Sequence, residues 1–272
     1  MKRAYADIPT GQIHYRTEGS GDPVILLHQS GSSSKDFSPL ISMLSPQYQI
    51  IAPDYPGHGQ SDSPSYLYKV PDFARTILSF MDALEIPTAH IMGDTTGSTV
   101  AAEIAASAPE RVSSLVLHLP PYWKHPGNRL RSFEFFPIKE MEIDGSHVLR
   151  KWEMLAKQAN TTGVSIEQIQ ELLIRLLRNQ LQIKRGEDGH YAVFTYDIQP
   201  RLPLIKNPTL VLTREKGLFQ RRAQDVKDAI TRSKLHTLSE HASLIPNHEF
   251  GLKENAQEYG DALLDFLSDP GV

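Results

Sequence analysis

The sequence contains no cysteine among its 272 residues. This absence excludes disulfides, thiolate nucleophiles, iron–sulfur clusters and cysteine-based zinc sites. Histidine is a common metal ligand, but the 11 histidines of the chain are scattered and no H-E-x-x-H motif occurs. We therefore predict that the protein has no metal site.

Features that would direct the chain to a membrane or a nucleic acid are also missing. No apolar run approaches the ~18–20 residues of a membrane span, and residues 1–7 contain no apolar signal segment. We expect no membrane association and a cytoplasmic location. The net charge of −4, without a basic cluster that includes aromatic residues, argues against nucleic-acid binding. Neither G-x-G-x-x-G after a first strand nor G-x-x-x-x-G-K-[ST] occurs, so we predict no cofactor.

Strand and helix patterns alternate along much of the chain, which is typical of an α/β fold with a mostly parallel, doubly wound sheet. Continuous apolar runs indicate buried parallel strands, and apolar residues at helical spacing indicate amphipathic helices. The predicted strands are Ala4–Asp7, Ile13–Thr17, Val24–His28, Tyr48–Ala52, His90–Met92, Arg111–Leu119 and Thr209–Thr213. The predicted helices of this part are Phe37–Leu44, Asp72–Leu84 and a run that begins near Ser98.

The alternation is interrupted between Leu119 and Thr209. Helical patterns occur there at Ser146–Ala159 and Ser165–Ile183, but no apolar strand is evident. A long excursion of this kind forms either a cap or a disordered insert, and a leucine stripe in the second helix favours a folded cap. We predict a core made of residues 1–121 and 203–272 and a helical cap insertion at 122–202.

The most informative motif is Gly93-Asp94-Thr95-Thr96-Gly97, which follows an apolar strand pattern and precedes a helical pattern. This is the context of the nucleophile elbow, G-x-S-x-G, in which glycines two residues before and after the nucleophile permit a sharp turn. The central position of the motif holds Thr95 where serine is usual.

The chain resembles the α/β-hydrolase superfamily at four landmarks that follow one another in the family's order. These are His28-Gln29-Ser30-Gly31 at the usual oxyanion loop, Asp54-Tyr55-Pro56-Gly57-His58-Gly59-Gln60-Ser61-Asp62 at the D-x-P-G-x-G-x-S-D segment, the elbow, and Asn247-His248-Glu249-Phe250 at the catalytic histidine loop. The resemblance extends over nearly the whole length and implies an α/β-hydrolase fold with an inserted helical cap.

The resemblance also implies roles for individual residues. Thr95 occupies the nucleophile position, and it would act as a nucleophile, donate a hydrogen bond to the substrate, or be vestigial. His248 is the candidate general base, with His241 as its substitute. The backbone N–H of Thr96, with a second donor from Gln29 or Ser30, would form the oxyanion hole.

The sequence departs from the family pattern at the nucleophile and at the acid. Threonine replaces serine at Thr95, and the family's acid after the Thr209–Thr213 strand falls on Gly217. The alternative acid position, at Leu117–Pro120, has no carboxylate either. Glu215 is a candidate acid for His248. We expect Asp94 to brace the loop, with contact to the site as the alternative.

Three functions are compatible with these residues. The first is a cofactor-independent hydrolase that cleaves an ester, a lactone or an activated C–C bond of a small, largely apolar substrate. The second is a lyase, decarboxylase, isomerase or cyclase on the same fold, and the third is a catalytically inactive binding protein. Tyr122 and Trp123 would line a pocket beneath the cap, or pack at its hinge. The predicted partner is a small molecule, and the oligomeric state is not indicated.

Overall fold

The computed structural model describes residues 1–125, 141–162, 165–167, 169–171, 173–174, 177, 189–215, 220–239 and 256–271. These residues include an eight-stranded sheet with the order β1-β2-β4-β3-β5-β6-β7-β8. Its strands are β1 (Lys2–Ile8), β2 (Gly11–Glu18), β3 (Pro23–Leu27), β4 (Gln49–Pro53), β5 (Ala89–Asp94), β6 (Val112–His118), β7 (Thr209–Arg214) and β8 (Ser233–Leu238). The β1–β2 and β2–β4 pairs are antiparallel, whereas the pairs among β3 to β8 are parallel. The predicted doubly wound, mostly parallel sheet is confirmed.

Helices cover both faces of the sheet. They are α1 (Ser38–Leu44), α2 (Val70–Ala83), α3 (Thr96–Ser107), α4 (Ser146–Thr162), α5 (Gly189–Thr195), α6 (Gln220–Ala229) and α7 (Ala256–Ser268), with 3-10 turns at Ser34–Phe37, Pro109–Arg111 and Leu202–Leu204. Buried residues of α2, α3, α5 and α6 form one core with the sheet. Residues of α1 and α7 form a second core on the other face. Such burial is the main favourable contribution to folding.

The helices α4 and α5 lie in the predicted cap segment, between β6 and β7 in the chain. The described residues between 166 and 177 are helical as well, within the range predicted for the second cap helix. The end of the segment is attached to α3, because Glu103 accepts hydrogen bonds from the Tyr196 hydroxyl and from Nε and Nη2 of Arg201. The division of the chain at residues 122 and 202 stays a prediction. Within the described ranges, none of the helices is long and apolar enough to cross a membrane.

Candidate functional site

Thr95 lies at the sharp turn between the end of β5 and the start of α3. Its φ of 52° and ψ of −105° place a β-branched residue in a region that L-residues rarely adopt. The backbone of the turn is fixed by the Thr95 N–H, which donates to the His118 carbonyl oxygen at 2.9 Å, and by the Thr95 carbonyl, which accepts from the Ser98 N–H at 3.0 Å. Strained residues of this kind persist only where the surrounding structure holds them, often at functional sites.

The two glycines of the elbow are required by close backbone approaches. A Cβ atom on Gly93 would lie 2.1 Å from the carbonyl oxygen of Gly97, and one on Gly97 would lie 2.0 Å from that of Leu27. Both distances are far below van der Waals contact. The elbow geometry therefore depends on glycine at both positions, as the motif predicts.

The loop after β3 faces the start of α3. The hydroxyls of Ser30 and Thr96 share a hydrogen bond of 2.7 Å, and both residues are buried. The loop is held by His28, whose Nδ1 pairs with the Gln29 carbonyl oxygen at 2.7 Å and whose Nε2 accepts from the Tyr55 N–H at 3.1 Å. Burial lowers the pKa of His28, which favours the neutral ring that this bonding needs.

These contacts bring together Ser30 and Thr96, two of the residues expected at an oxyanion site. The N–H groups of a helix's first turn have no acceptor within the helix, and Thr96 is the first residue of α3. Ser30, which bonds to the Thr96 hydroxyl, and the preceding Gln29 are each 8% exposed. The arrangement can bind negative charge that develops on a substrate oxygen next to Thr95.

Asp94 is paired with His118, a residue that the sequence analysis did not assign to the site. The carboxylate oxygen Oδ1 of Asp94 lies 2.8 Å from Nδ1 of His118 and accepts a hydrogen bond from the Thr95 hydroxyl at 3.1 Å. Asp94 is 6% exposed and His118 is 1% exposed. The structure thus places Asp94 in contact with Thr95 as well as with the end of β6.

The surroundings of His118 keep its ring neutral. Burial lowers the pKa of His118, and this effect outweighs the opposing effect of the Asp94 carboxylate. Arg214 lowers the pKa further. The Tyr259 ring packs against the imidazole with its centroid at 4.9 Å. Nε2 of His118 is buried and has no hydrogen-bond partner among the described residues.

A signal for the Asp94–His118 pair is present in the sheet topology. Adjacent parallel strands end at the same edge of the sheet, where α/β proteins usually bind ligands. Asp94 and His118 are register partners at the ends of β5 and β6. Once these strands are known to be neighbours, the two side chains are expected at the same edge.

A narrow cleft, with no open volume for a water molecule, lies beside the start of α3. It is lined by Ser30, Tyr55, His58, Phe73, Thr96 and Gly189. The hydroxyl of Tyr55 is buried without a partner among the described residues. Burial raises the pKa of Tyr55 well above its ordinary value, and the Asp94 charge adds to this effect. The cleft therefore combines apolar walls with a few polar groups, as small-molecule sites usually do.

The cap segment closes this cleft through Gly189, the first residue of α5. A Cβ atom on Gly189 would lie 2.5 Å from the Ser30 Oγ and 3.0 Å from the Thr96 Cγ2. The helix backbone therefore rests directly on the two residues that flank the cleft. A side chain at this position would require the Ser30 hydroxyl or α5 to shift.

Tyr122 and Trp123 lie where the chain leaves β6 for the cap, and neither lines the cleft beside Thr96. Trp123 packs edge-on against Phe194 of α5, with ring centroids 5.7 Å apart, and carries the Arg222 guanidinium 5.6 Å from its ring centroid. Tyr122 is half-buried, and burial raises its pKa. Both aromatic residues contribute to the junction between the cap segment and the core.

The structure describes the candidate acid, Glu215, but not the predicted base, His248. His248 and His241 lie outside the described residues, as does the loop at 216–219. Glu215 is exposed at the end of β7, where its N–H donates to the Leu238 carbonyl oxygen at 3.1 Å. The roles of His248 and Glu215 stay predictions. Among the described residues, no three histidine or acidic side chains are grouped so as to hold a metal ion.

A larger depression of about 370 Å³ lies at the opposite end of the sheet, where β3 and β4 begin. Its lining includes Tyr15, Gln49 and Glu85, and none of these side chains is buried. The depression is distant from the elbow, and its lining offers no cluster of reactive groups. We therefore place the functional site at the elbow.

Comparison with known proteins agrees with this geometry. The family model described as alpha/beta hydrolase fold matches residues 22–139. Haloalkane dehalogenase 2 of Mycobacterium tuberculosis is 31% identical over 128 residues, which cover 47% of this chain and 45% of that protein. The chain thus matches less than half the length of this relative.

Two further proteins are similar over almost the whole chain. The 2-hydroxy-6-oxo-6-phenylhexa-2,4-dienoate hydrolase of Comamonas testosteroni is 27% identical, with 96% of this chain and 93% of that protein covered. The crystal structure of the enol-lactonase from Burkholderia xenovorans LB400 superposes with a TM-score of 0.71 at 21% identity, covering 98% of this chain and 100% of that one. At this identity the structural likeness concerns the fold.

Proposed function

The chain belongs to the α/β-hydrolase superfamily, and from this premise we propose that it is a cofactor-independent hydrolase with Thr95 as its reacting residue. The substrate class is an ester, a lactone or an activated C–C bond next to a carbonyl group in a small molecule. The observation that carries the proposal is the hydrogen bond from the Thr95 hydroxyl to Asp94, at the strained turn beside the first N–H groups of α3.

The environment of Thr95 supports a nucleophilic role. A hydroxyl nucleophile requires an acceptor for its proton and donors for the oxyanion. Asp94 provides an acceptor at 3.1 Å, and Thr96, the first residue of α3, lines the cleft together with Ser30. A Thr95 hydroxyl bonded only to backbone would instead favour the lyase or binding-protein alternatives. Its contact with a carboxylate favours hydrolysis.

The names of similar proteins support the substrate class. One relative is named as the hydrolase of an oxo-phenylhexadienoate, and one structural neighbour is named as an enol-lactonase. Both names describe hydrolysis of carbonyl compounds.

The proposal is tested by hydrolysis of a panel of short p-nitrophenyl esters and lactones. Wild type, Thr95→Ala and Thr99→Ala are compared at equal concentration. Thr99 is the matched control, because it is a buried threonine in α3, the helix that follows Thr95, and its hydroxyl has no partner among the described residues.

We expect Thr95→Ala to lose at least about 10²-fold in kcat/KM, the size of a general-base contribution. Thr99→Ala should stay close to wild type. Turnover by wild type that survives in Thr95→Ala would contradict the role of Thr95. Proton-exchange or C–C cleavage activity without ester or lactone hydrolysis would support the lyase or isomerase alternative.

A further inference from the structure

We propose that Asp94 and His118 form a buried pair that activates the Thr95 hydroxyl, with Asp94 as the acceptor of its proton and His118 as the residue that positions Asp94. The inference rests on the proposed function in taking Thr95 as the reacting residue. The family motifs give no catalytic role to the residue before the nucleophile, here Asp94, or to the last residue of β6, here His118. The inference assigns a role to both.

The first support is that one carboxylate oxygen joins all three residues. Oδ1 of Asp94 accepts from the Thr95 hydroxyl at 3.1 Å and lies 2.8 Å from Nδ1 of His118. An ionised carboxylate has only acceptor sites. The Thr95 hydrogen therefore points toward Asp94, and the oxygen lone pairs are left to attack a substrate. This arrangement favours a nucleophile over a hydrogen-bond donor to the substrate.

The second support is the burial of the pair. Asp94 and His118 are almost inaccessible, whereas Thr95 is half-buried. A substrate therefore meets Thr95, and the pair acts through it. Hydrogen bonds to charged groups are stronger than neutral ones, and they gain further strength in a low-dielectric interior. The neutral imidazole, which donates from Nδ1, holds the carboxylate without cancelling its charge.

A second histidine pair, between His90 and Ser114, joins β5 and β6 at their other ends and serves for comparison. Nδ1 of His90 on β5 lies 2.7 Å from the Ser114 hydroxyl on β6. This pair also joins a histidine to a polar side chain across the two strands. It involves no carboxylate and lies at the opposite end of β5 from the elbow. His90 is therefore a matched control for the loss of a histidine from this part of the sheet.

The chemical step follows from the geometry. The Thr95 Oγ1 forms a bond to the acyl carbon, its proton passes to Asp94 Oδ1, and the carbonyl electron pair moves onto the oxygen beside the Thr96 N–H. Collapse of this intermediate breaks the bond to the leaving oxygen, which takes the proton from Asp94. Water then attacks the acyl carbon and passes a proton to Asp94. Collapse of this second intermediate breaks the bond to Thr95 Oγ1, which takes that proton. The acid is released and the free hydroxyl is restored.

The test measures the reactivity of the Thr95 hydroxyl without relying on a natural substrate. The folded protein is treated with phenylmethanesulfonyl fluoride, and the rate of sulfonylation of the Thr95 peptide is followed by mass spectrometry. In this reaction Oγ1 bonds to sulfur, fluoride leaves and the hydroxyl proton passes to Asp94. The variants are Asp94→Asn, His118→Leu, His118→Asn, His248→Ala and the control His90→Leu, with circular dichroism to confirm folding.

We expect Asp94→Asn to slow labelling by about 10²-fold or more, as for loss of a general base. His118→Leu should slow it by at least about tenfold, while His118→Asn, whose amide can donate in place of Nδ1, should recover most of the rate. His90→Leu should label like wild type. The rescue by asparagine separates a positioning role from general damage to the sheet.

Two results would overturn the inference. One is an Asp94→Asn variant that labels within about threefold of wild type, or a wild type that is not labelled at Thr95 at all. The other is a rate that collapses in His248→Ala, which identifies His248 as the acceptor even if the Asp94 variants do not fold. Labelling that follows the expected pattern without hydrolysis of any ester or lactone supports the pair and contradicts the proposed function.

Discussion

The backbone N–H of Thr95 donates a hydrogen bond to the carbonyl oxygen of His118 across 2.9 Å. This bond ties the turn of the elbow to the end of the neighbouring strand, so that Thr95 keeps a φ of 52°. A positive φ is costly for a β-branched residue. The same bond places the Thr95 side chain next to the Asp94–His118 pair.

The strain at Thr95 predicts an unusual order of stability. Thr95→Gly should be more stable to unfolding than Thr95→Ala by about 1 kcal/mol, because relief of the strained backbone outweighs the entropy that glycine loses on folding. Both variants lose the hydroxyl, so the comparison isolates the backbone. The free energies are measured by urea denaturation.

A control for this prediction lies in α3. At Thr99, inside the helix, glycine should be less stable than alanine by about 1 kcal/mol, as helix propensity requires. If the two sites give the same order, Thr95 is not strained in solution.

The contact between the cap segment and α3 predicts a loss of stability when Arg201 is removed. Glu103 is 6% exposed and accepts from the Arg201 Nε at 2.7 Å and from its second nitrogen at 3.1 Å. Arg201→Met leaves this carboxylate with the Tyr196 hydroxyl as its remaining side-chain donor. We expect a loss of about 2 kcal/mol in the free energy of unfolding, typical of hydrogen bonds to charged groups.

Arg75→Met is the matched control for Arg201→Met. Arg75 pairs with Asp72 at the protein surface, where its side chain is 68% exposed. Exposed pairs contribute little, so this variant should stay within about 0.5 kcal/mol of wild type. Equal losses at the two sites would show that burial of Glu103 adds nothing.

Burial of His118 predicts a stability that decreases in acid. Burial lowers the folded-state pKa of His118 below 6.5, so the unfolded chain binds the proton first as the pH falls. The contribution is fully present above pH 6.5 and is lost as the pH drops from 6.5 toward the folded pKa. The slope for one histidine reaches at most about 1.4 kcal/mol per pH unit. The groups that face His118 are Asp94, Arg214 and Tyr259.

Thermal unfolding between pH 7.5 and 5.0 measures this dependence. His118→Asn should give a shallower decrease below about pH 6.5, the ordinary histidine pKa, and His28 should account for part of what remains, because burial lowers its pKa as well. A His118→Asn curve parallel to wild type would contradict a buried neutral His118.

The close approach of Gly189 predicts coupling with Ser30. Gly189→Ala brings a Cβ within 2.5 Å of the Ser30 Oγ, so either α5 or the serine must shift. Ser30→Ala removes that oxygen and should offset part of the loss. We expect a coupling free energy of about 1 kcal/mol in a double-mutant cycle measured by denaturation. Strictly additive effects would mean that α5 does not rest on the cleft in solution.

Local sequence signals identified the elements that carry the site. The apolar run predicted as Thr209–Thr213 forms β7, Thr209–Arg214, and the strand–turn–helix motif at the elbow is confirmed in the fold. The run predicted to extend to His28 ends at Leu27, because His28 turns to bond the Tyr55 N–H. The sequence does not predict β8, since this edge strand lacks an apolar run and Leu238 is its one buried residue.

The contacts that complete the site join residues far apart in the chain. Ser30 and Thr96 are 66 positions apart, and Glu103 and Arg201 are 98 positions apart. Such pairs follow from the order of the strands and from how the cap segment docks. Neither is encoded in a local pattern. The sequence indicates the Leu117–Pro120 segment only as an alternative position for the acid. The pairing of β5 with β6, which brings His118 to Asp94, is not encoded in that segment.

The central claim is that the Thr95 hydroxyl reacts with a carbonyl carbon, and trapping the covalent intermediate tests it most directly. The protein is mixed with p-nitrophenyl acetate, quenched in acid within seconds, digested and analysed by mass spectrometry. The account predicts an acetyl group on the peptide that carries Thr95, absent in Thr95→Ala and present in Thr99→Ala. Release of p-nitrophenol at the wild-type rate by Thr95→Ala, with no acetyl group on Thr95 in wild type, would contradict it.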